Sequence, residues 1–487
     1  MVLVRPTTRE GTGSTRVLLG VLVAAMLLMV IATDMVNLVL PLMGTEFGAS
    51  EAQLAWVVTG FLLVFSIGIP FYGRIADRVR LRRLFSAALL VYAAGSLVCA
   101  LAPTLLVVVV GRVVMGAGAG AIPVLSVVAV TRVLPPNKRG IGVGFISAAG
   151  GVGTAAGPAV GGGLGQLFGW PALFWLTLVC ALVLVPMTMR VLPDDSPGTR
   201  EPFDIVGGVL LGLSAGLLLF GITQQEVAGF GAPSAWGALV GAAVATLLFL
   251  LRIRGTAHPF VPPSLFANPV YVAAVVVIFL AMFTNLAALV FVPVLVVDVN
   301  GLSPGAGSLV MIPGGVALAV ASPLAGRLSD RAGARLLTVS GLIVIGVSTF
   351  FLSSVGAGGP ALPAAVGVLG LGVGVAFVLT TVTNAAAGAL PVARIGVGLG
   401  TLQGAQFLGA GTGPALMGAL LVARKDGAGE SINPLHDQAA SAFSDVFLVL
   451  TLLVVPALVA ALRLRPSSPS QSGPDGSERT PQRAADA

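Results

Sequence analysis

Two charged side chains of this 487-residue chain, Asp34 and Arg112, stand well inside apolar runs, where a charge is costly and needs a reason. A carboxylate that is screened from lipid and exposed first on one side of a membrane, then on the other, can carry a proton across. An arginine that approaches and withdraws would change how firmly the carboxylate holds that proton. The two runs cross in opposite directions. Asp34 precedes the end of its run at Met43 by nine residues and Arg112 follows Thr104 by eight, about 13 Å and about 12 Å of helix at ~1.5 Å per residue, so the spacing predicts a shared depth. A static ion pair joining two helices is the other reading, but apolar replacements often serve stability as well as such a pair, which favours proton coupling.

Uncharged polar residues in the apolar runs are candidates for a binding cavity. Asn37 and Pro41 share a helical face with Asp34. Asn285, Asn384, Gln403 and Gln406 are spread over later runs, where hydrogen bonding between helices is the alternative use. Trp56 offers a flat face for stacking, or an anchor at a membrane interface. Gly153, Gly157, Gly161 and Gly165 recur at every fourth residue, a groove into which a neighbouring backbone can fit, and Gly396, Gly400 and Gly404 repeat the spacing. Gly157-Pro158 is expected to soften its helix.

Other chemistries find no support in the residues. The two histidines, His258 and His436, lie in separate loops, and no run holds a carboxylate cluster, so no catalytic constellation can be assembled and the chain is expected not to be an enzyme. Cys99 and Cys180 sit in apolar runs as small hydrophobes, with no metal or disulfide framework. Gly116-Ala-Gly118-Ala-Gly120 lies mid-run, and neither Lys138 nor Lys425 follows a phosphate-loop pattern, so no ATP site and no cofactor are expected.

The elements that must position these residues follow from composition. The chain is 56% apolar and 9% charged, with mean hydropathy +1.02, too little polar surface to coat a soluble globule of its size. Apolar runs of roughly 20 residues, the length that crosses a bilayer core, recur along it and predict an all-α membrane protein. Fourteen such runs are predicted, from about 18–43 to about 444–462. The net charge of +7 would suggest nucleic acid in a soluble protein; here the basic residues fall in alternate loops, among them Arg74 to Arg83, Arg132 to Arg139, Arg252 and Arg254, and Arg327 to Arg335. The intervening loops lack Lys and Arg, except that of Arg424 and Lys425. The pattern predicts both termini in the cytoplasm. Residues 466–487, rich in Pro, Ser and Gly, are expected to be a disordered tail.

An internal repeat sets the architecture. Gly73-Arg-Ile-Ala-Asp77-Arg78 recurs 253 residues later as Gly326-Arg-Leu-Ser-Asp330-Arg331, and Leu134-Pro135 through Gly157-Pro158 recurs as Leu390-Pro391 through Gly413-Pro414. The organisation expected is a six-helix half over 1–200, two inserted helices over 201–258, and a second six-helix half over 259–465. Asp77 and Asp330, beside Arg78 and Arg331, are placed to accept from a helix N-terminus or an arginine in one conformation and release it in another.

Two six-helix repeats with a site between them resemble the major facilitator superfamily. Gly73 to Arg83 is similar to its loop motif, with Arg80 where glycine is usual; Arg112 with Gly116 and Gly120 is similar to its fourth-helix motif. Gly157-Pro158-Ala-Val-Gly161-Gly162 resembles its antiporter motif. Asp34-Met-Val-Asn37, Trp56-Val-Val-Thr59, Phe203-Asp204-Ile-Val-Gly207 and Pro259-Phe260-Val261 follow the order seen in fourteen-helix tetracycline efflux proteins of the drug/proton antiporter branch. The resemblance implies a proton-coupled exporter of a small, largely apolar drug or antibiotic, working as a monomer in a bacterial cell membrane. A proton-coupled importer of a metabolite is the alternative. Thr154 and Ala410 stand where the tetracycline pumps carry acidic residues, which argues against tetracycline as the substrate.

Overall fold

The computed structural model describes residues 12–194, 204–228, 232–301, 307, 309–356, 361–426, 431–435 and 440–464, and their regular structure is helical throughout. The expected tail and the expected boundary near residue 200 lie outside the described residues, as do the side chains of Asn37, Pro158 and Asp330. The first helices are α1 (Thr12–Phe47), α2 (Glu51–Ala76), α3 (Leu81–Ala100), α4 (Leu105–Ala119), α5 (Ala121–Val133), α6 (Pro136–Phe168) and α7 (Pro171–Val191). Then come α8 (Ile205–Ala228), α9 (Pro233–Gly255), α10 (Pro269–Asp298), α11 (Ile312–Ala332), α12 (Ala334–Val355), α13 (Ala361–Gly388), α14 (Ile395–Asp426) and α15 (Ser441–Ala461).

Among the described residues, twelve helices are long and apolar enough to cross a membrane, counting α4 and α5 as one rod from Leu105 to Val133. Of the runs expected from the sequence, α8 is apolar over the shorter stretch Ile205–Gly221, and α11 carries Arg327, Asp330 and Arg331 near its end. Lipid solvates the outer faces, so large apolar side chains such as Val179, Leu247 and Val347 stand exposed.

Helices α1 to α7 pack chiefly among themselves, as do α10 to α15. Glycines permit the closest approaches, because a missing Cβ lets backbones touch and pack by dispersion where no hydrophobic drive operates. A Cβ on Gly153, Gly157, Gly161 or Gly165 of α6 would lie within 2.6 to 2.8 Å of Val30, Asp34, Met35 or Val39 of α1. The expected groove is therefore real, and α1 fills it.

Its counterpart in the second bundle differs from the expectation. A Cβ on Gly404 would have nothing within 4 Å among the described residues, and a Cβ on Gly400 would meet Gly73, Ile69 and Pro70 of α2. Gly409 and Gly413 lie against Phe279 and Phe283 of α10 and play the part that Gly153 and Gly157 play on α1. Spacing alone could not tell which face of α14 meets its own bundle and which meets the other.

The exceptional Arg424 and Lys425 also find partners. Arg424 binds the buried Asp445 at 2.5 Å, Asp445 accepts the Ile432 N–H at 2.7 Å, and Lys425 sits 5.0 Å from the centre of the Phe443 ring. These charges fasten a loop to α15.

Candidate functional site

Asp34 faces α6. Its carboxylate accepts a hydrogen bond from Thr154, one turn before Gly157, and its Cβ is the atom that a Cβ on Gly157 would meet at 2.8 Å. Thr154, conspicuous in the sequence only as a missing acid, is thus the partner of the intramembrane carboxylate.

Arg112 goes elsewhere. It is 0% exposed, stacks 4.1 Å above the Phe61 ring and donates from Nε to the Val57 carbonyl at 3.1 Å, both on α2. Among the described residues its Nη1 and Nη2 have no hydrogen-bond partner, and neither has the buried Tyr92 hydroxyl on α3. Asp34 and Arg112 do not pair in this conformation. Sequence spacing predicts only height along the helix, whereas direction around the helix axis turns Arg112 toward α2 and α3 and Asp34 toward α6.

The polar cavity candidates take up different positions. Gln403 is buried at the meeting of the two bundles, where Nε2 donates to the Pro123 carbonyl of α5 at 3.4 Å while Oε1 is unpartnered. Asn285 is buried on α10 beside Thr284, whose hydroxyl is also unpartnered. Asn384 and Gln406 are half-buried. Trp56 is exposed and lies 5.3 Å from the Phe220 ring of α8, so its flat face is turned to the inserted helix.

Two seams join the bundles, α2 against α14 and α6 against α11. At the end carrying the basic loops, the Asp77 carboxylate accepts the Gly396 and Val397 N–H groups at 2.9 Å each, capping the start of α14, and pairs with Arg132 at 3.1 Å. An anion at a helix N-terminus satisfies orphan donors and the helix dipole together. Asp77 lies just beyond its span; burial pushes its carboxyl up, opposed by the Val397 and Gly396 N–H groups and by Arg132 and Arg74. Arg132 was visible in the sequence only as a loop charge, because its partner is 55 residues away.

Gly73 lets the Gly396 carbonyl and Gly400 come close beside this cap, and Phe65 meets Phe407 edge-on at 4.9 Å deeper in the same seam. At the other seam, Gly326 takes the Gly140 carbonyl and Ile141, and Gly144 takes Ser322 and Pro323. Arg78 engages a partner, and Arg331 is exposed. Half-buried Gly162 stands beside the α1 groove, 3.9 Å from Leu38. Each seam therefore has its repeat glycine in backbone contact with the opposite bundle.

Two helical bundles joined by glycine seams, with an unpaired cation and a carboxylate at membrane depth, define a multi-pass membrane transporter. The chain matches the Major Facilitator Superfamily family model over residues 22–414, and again over 274–486, and it belongs to that family. It is 29% identical over 459 residues to the multidrug resistance protein B homolog of Mycobacterium tuberculosis, covering 85% of this chain and 84% of that protein. With the multidrug resistance protein Stp of the same species it shares 28% over 394 residues, 80% of this chain and 72% of the relative. The lincomycin resistance protein LmrB of Listeria monocytogenes is 27% identical over 316 residues, 65% of this chain and 67% of that protein.

Among solved structures, the proton:xylose symporter XylE superposes with TM-score 0.65 at 18% identity, over 92% of this chain and 95% of that chain. The human organic anion transporter MFSD10 gives 0.63 at 16% identity, over 92% of this chain and 99% of that one. These share the fold. The protein is thus a multi-span transporter of the major facilitator superfamily, a plasma-membrane protein and not an enzyme.

Proposed function

We propose that the protein is a proton-coupled antiporter that exports a small, largely apolar compound by alternating access, as a monomer with fourteen spans and both termini in the cytoplasm. Asp34 is the coupling carboxylate, and residues 12–194 and 269–464 move as two bodies around a site near Gln403 and Asn285. The observation that carries this reading is the position of Asp34 against α6: the helix that holds the carboxylate through Thr154, with Gly157 beside the Asp34 Cβ, also forms the α6/α11 seam through Gly144 and Gly151. A change in protonation or hydration at Asp34 acts on the element that must shift when the bundles rock. In this reading the end bearing the basic loops, joined by Asp77 and the seam glycines, is the cytoplasmic one and is closed in this conformation. Arg112 retains an unpartnered charge that a second conformation can use.

The test is proton release from inverted vesicles on addition of each compound in a panel that begins with lincomycin, after expression in a susceptible host. The panel member whose toxicity the protein relieves should draw protons out of the vesicles, and Asp34→Asn should abolish that signal while the protein still binds the compound. Asp34→Glu, which still titrates, should keep part of it. Uphill efflux with unchanged pH dependence in Asp34→Asn would place the proton elsewhere.

A further inference from the structure

The inserted pair α8–α9 touches both bundles, but unequally. Gly208, Gly212 and Gly216 recur at every fourth residue of α8, and a Cβ on each would meet Phe71, Ile67 and Leu63 of α2 at 2.7, 2.6 and 2.7 Å. Phe220 continues the same contact to Trp56, so α8 is seated in α2 side chains from Trp56 to Phe71. At the basic end, Asp204 accepts the Gly207 N–H at 3.0 Å and pairs with Arg252 of α9 at 3.3 Å. Farther along, a Cβ on Gly221 would meet Leu239 of α9 at 2.9 Å and one on Gly241 would meet Leu217 at 3.2 Å, so the two inserted helices form one unit. Phe260, in the connection to α10, packs 5.1 Å from Phe71 over the end of the same groove.

Toward the second bundle, α8 presents Leu219, seated in the space left by Gly411 of α14, where any Cβ would collide with it. A side chain in a single glycine hollow can leave by sliding, whereas a three-glycine groove filled along its length cannot shear without breaking every contact.

We propose that α8–α9 travels with the first bundle as a brace across the α2/α14 seam, so that the α8/α14 contact, with Leu219–Gly411 in it, is made and broken in each transport cycle. The inference rests on the alternating-access reading above and assigns the inserted helices a mechanical role within it. The α2/α8 groove stays shut throughout, which also keeps bilayer lipid out of that seam.

The experiment measures electron spin resonance distances in nanodiscs, in a Cys99→Ala, Cys180→Ala background, with labels on the exposed positions Leu62, Leu213 and Leu416. The pairs are Leu62→Cys with Leu213→Cys within the brace, Leu213→Cys with Leu416→Cys across Leu219–Gly411, and Leu62→Cys with Leu416→Cys between the bundles. Closure is weakened by Asp77→Ala, which strips the cap from α14, or by Gly73→Leu, which forces the seam apart. The expected result is an unchanged distance within the brace, while the other two distances shift together. A shift within the brace pair, or an α8–α14 distance that holds while the bundles part, overturns the proposal but leaves alternating access standing. A bundle-to-bundle distance that fails to move under either substitution overturns alternating access, and the brace with it.

Discussion

The two seams are built from the same repeat yet equipped differently. At α2/α14, Gly73 meets Gly396 and Gly400, Asp77 caps α14, and α8 lies across the outside. At α6/α11, Gly326 and Gly144 bring backbones together in the same way, but no inserted helix covers them, and α6 carries on its other face the groove that holds Asp34. Duplication supplies two equivalent joints. One has been tied to a titratable group inside the membrane and the other to a charge at its edge and a brace. On the reading proposed above, coupling and closure fall to different joints.

The largest effect should follow from attacking the α6 side at its carboxylate. Asp34→Asn is expected to remove uphill efflux completely, whereas Asp77→Asn, which leaves one acceptor for two N–H groups, should only slow it. Equal loss in both, measured as efflux against an imposed pH gradient, would erase the division between coupling and closure. Gly157→Leu comes next: a branched side chain has no room beside Asp34 Cβ, and overpacking a tight contact costs about 1–3 kcal/mol, so transport should stop while membrane insertion, read from protein abundance, persists.

Leucine at Gly73 and at Gly326 should then impair transport to similar extents, because each faces backbone of the opposite bundle. A strong effect at one and none at the other, in the same efflux assay, would show that the seams do not move alike. A smaller effect concerns pH. Burial raises the Asp77 carboxyl above its ordinary 3.8, so the closed end holds a proton more firmly than an opened one with Asp77 in water. Linkage then favours closure as pH falls toward the raised value, and that contribution is lost as pH rises through it. The distance between Leu62 and Leu416 labels should follow this trend, and Asp77→Asn should flatten it. The smallest effect is expected at Gly404, where a Cβ would have nothing within 4 Å among the described residues: Gly404→Ala should leave transport intact and firm the helix by roughly 0.5–1 kcal/mol, read as a higher melting temperature.

Much of this was legible in the chain itself. Runs of apolar residues, alternate basic loops and the recurrence of Gly73-Arg-Ile-Ala-Asp77 as Gly326-Arg-Leu-Ser-Asp330 determine a membrane bundle with an internal repeat, because hydrocarbon admits only helices of a certain length and loop charge resists crossing it. The acceptor role of Asp77 at a helix start was readable as well, since the residue sits at a span end beside arginines. What the tertiary structure decided is azimuth and partner. Spacing predicts one depth for Asp34 and Arg112, and they turn to different neighbours, Thr154 on one side and Phe61 with Val57 on the other. The Gly396-Gly400 spacing repeats that of α6, yet it serves the seam, while Gly409 and Gly413 serve the bundle. Leu219 finds Gly411 almost two hundred residues away across the junction of two bundles. Hydropathy and loop charge act along the membrane normal and so can be summed from sequence; rotation about that normal is set by which side chains fill which hollows, and that exists only once the helices have packed.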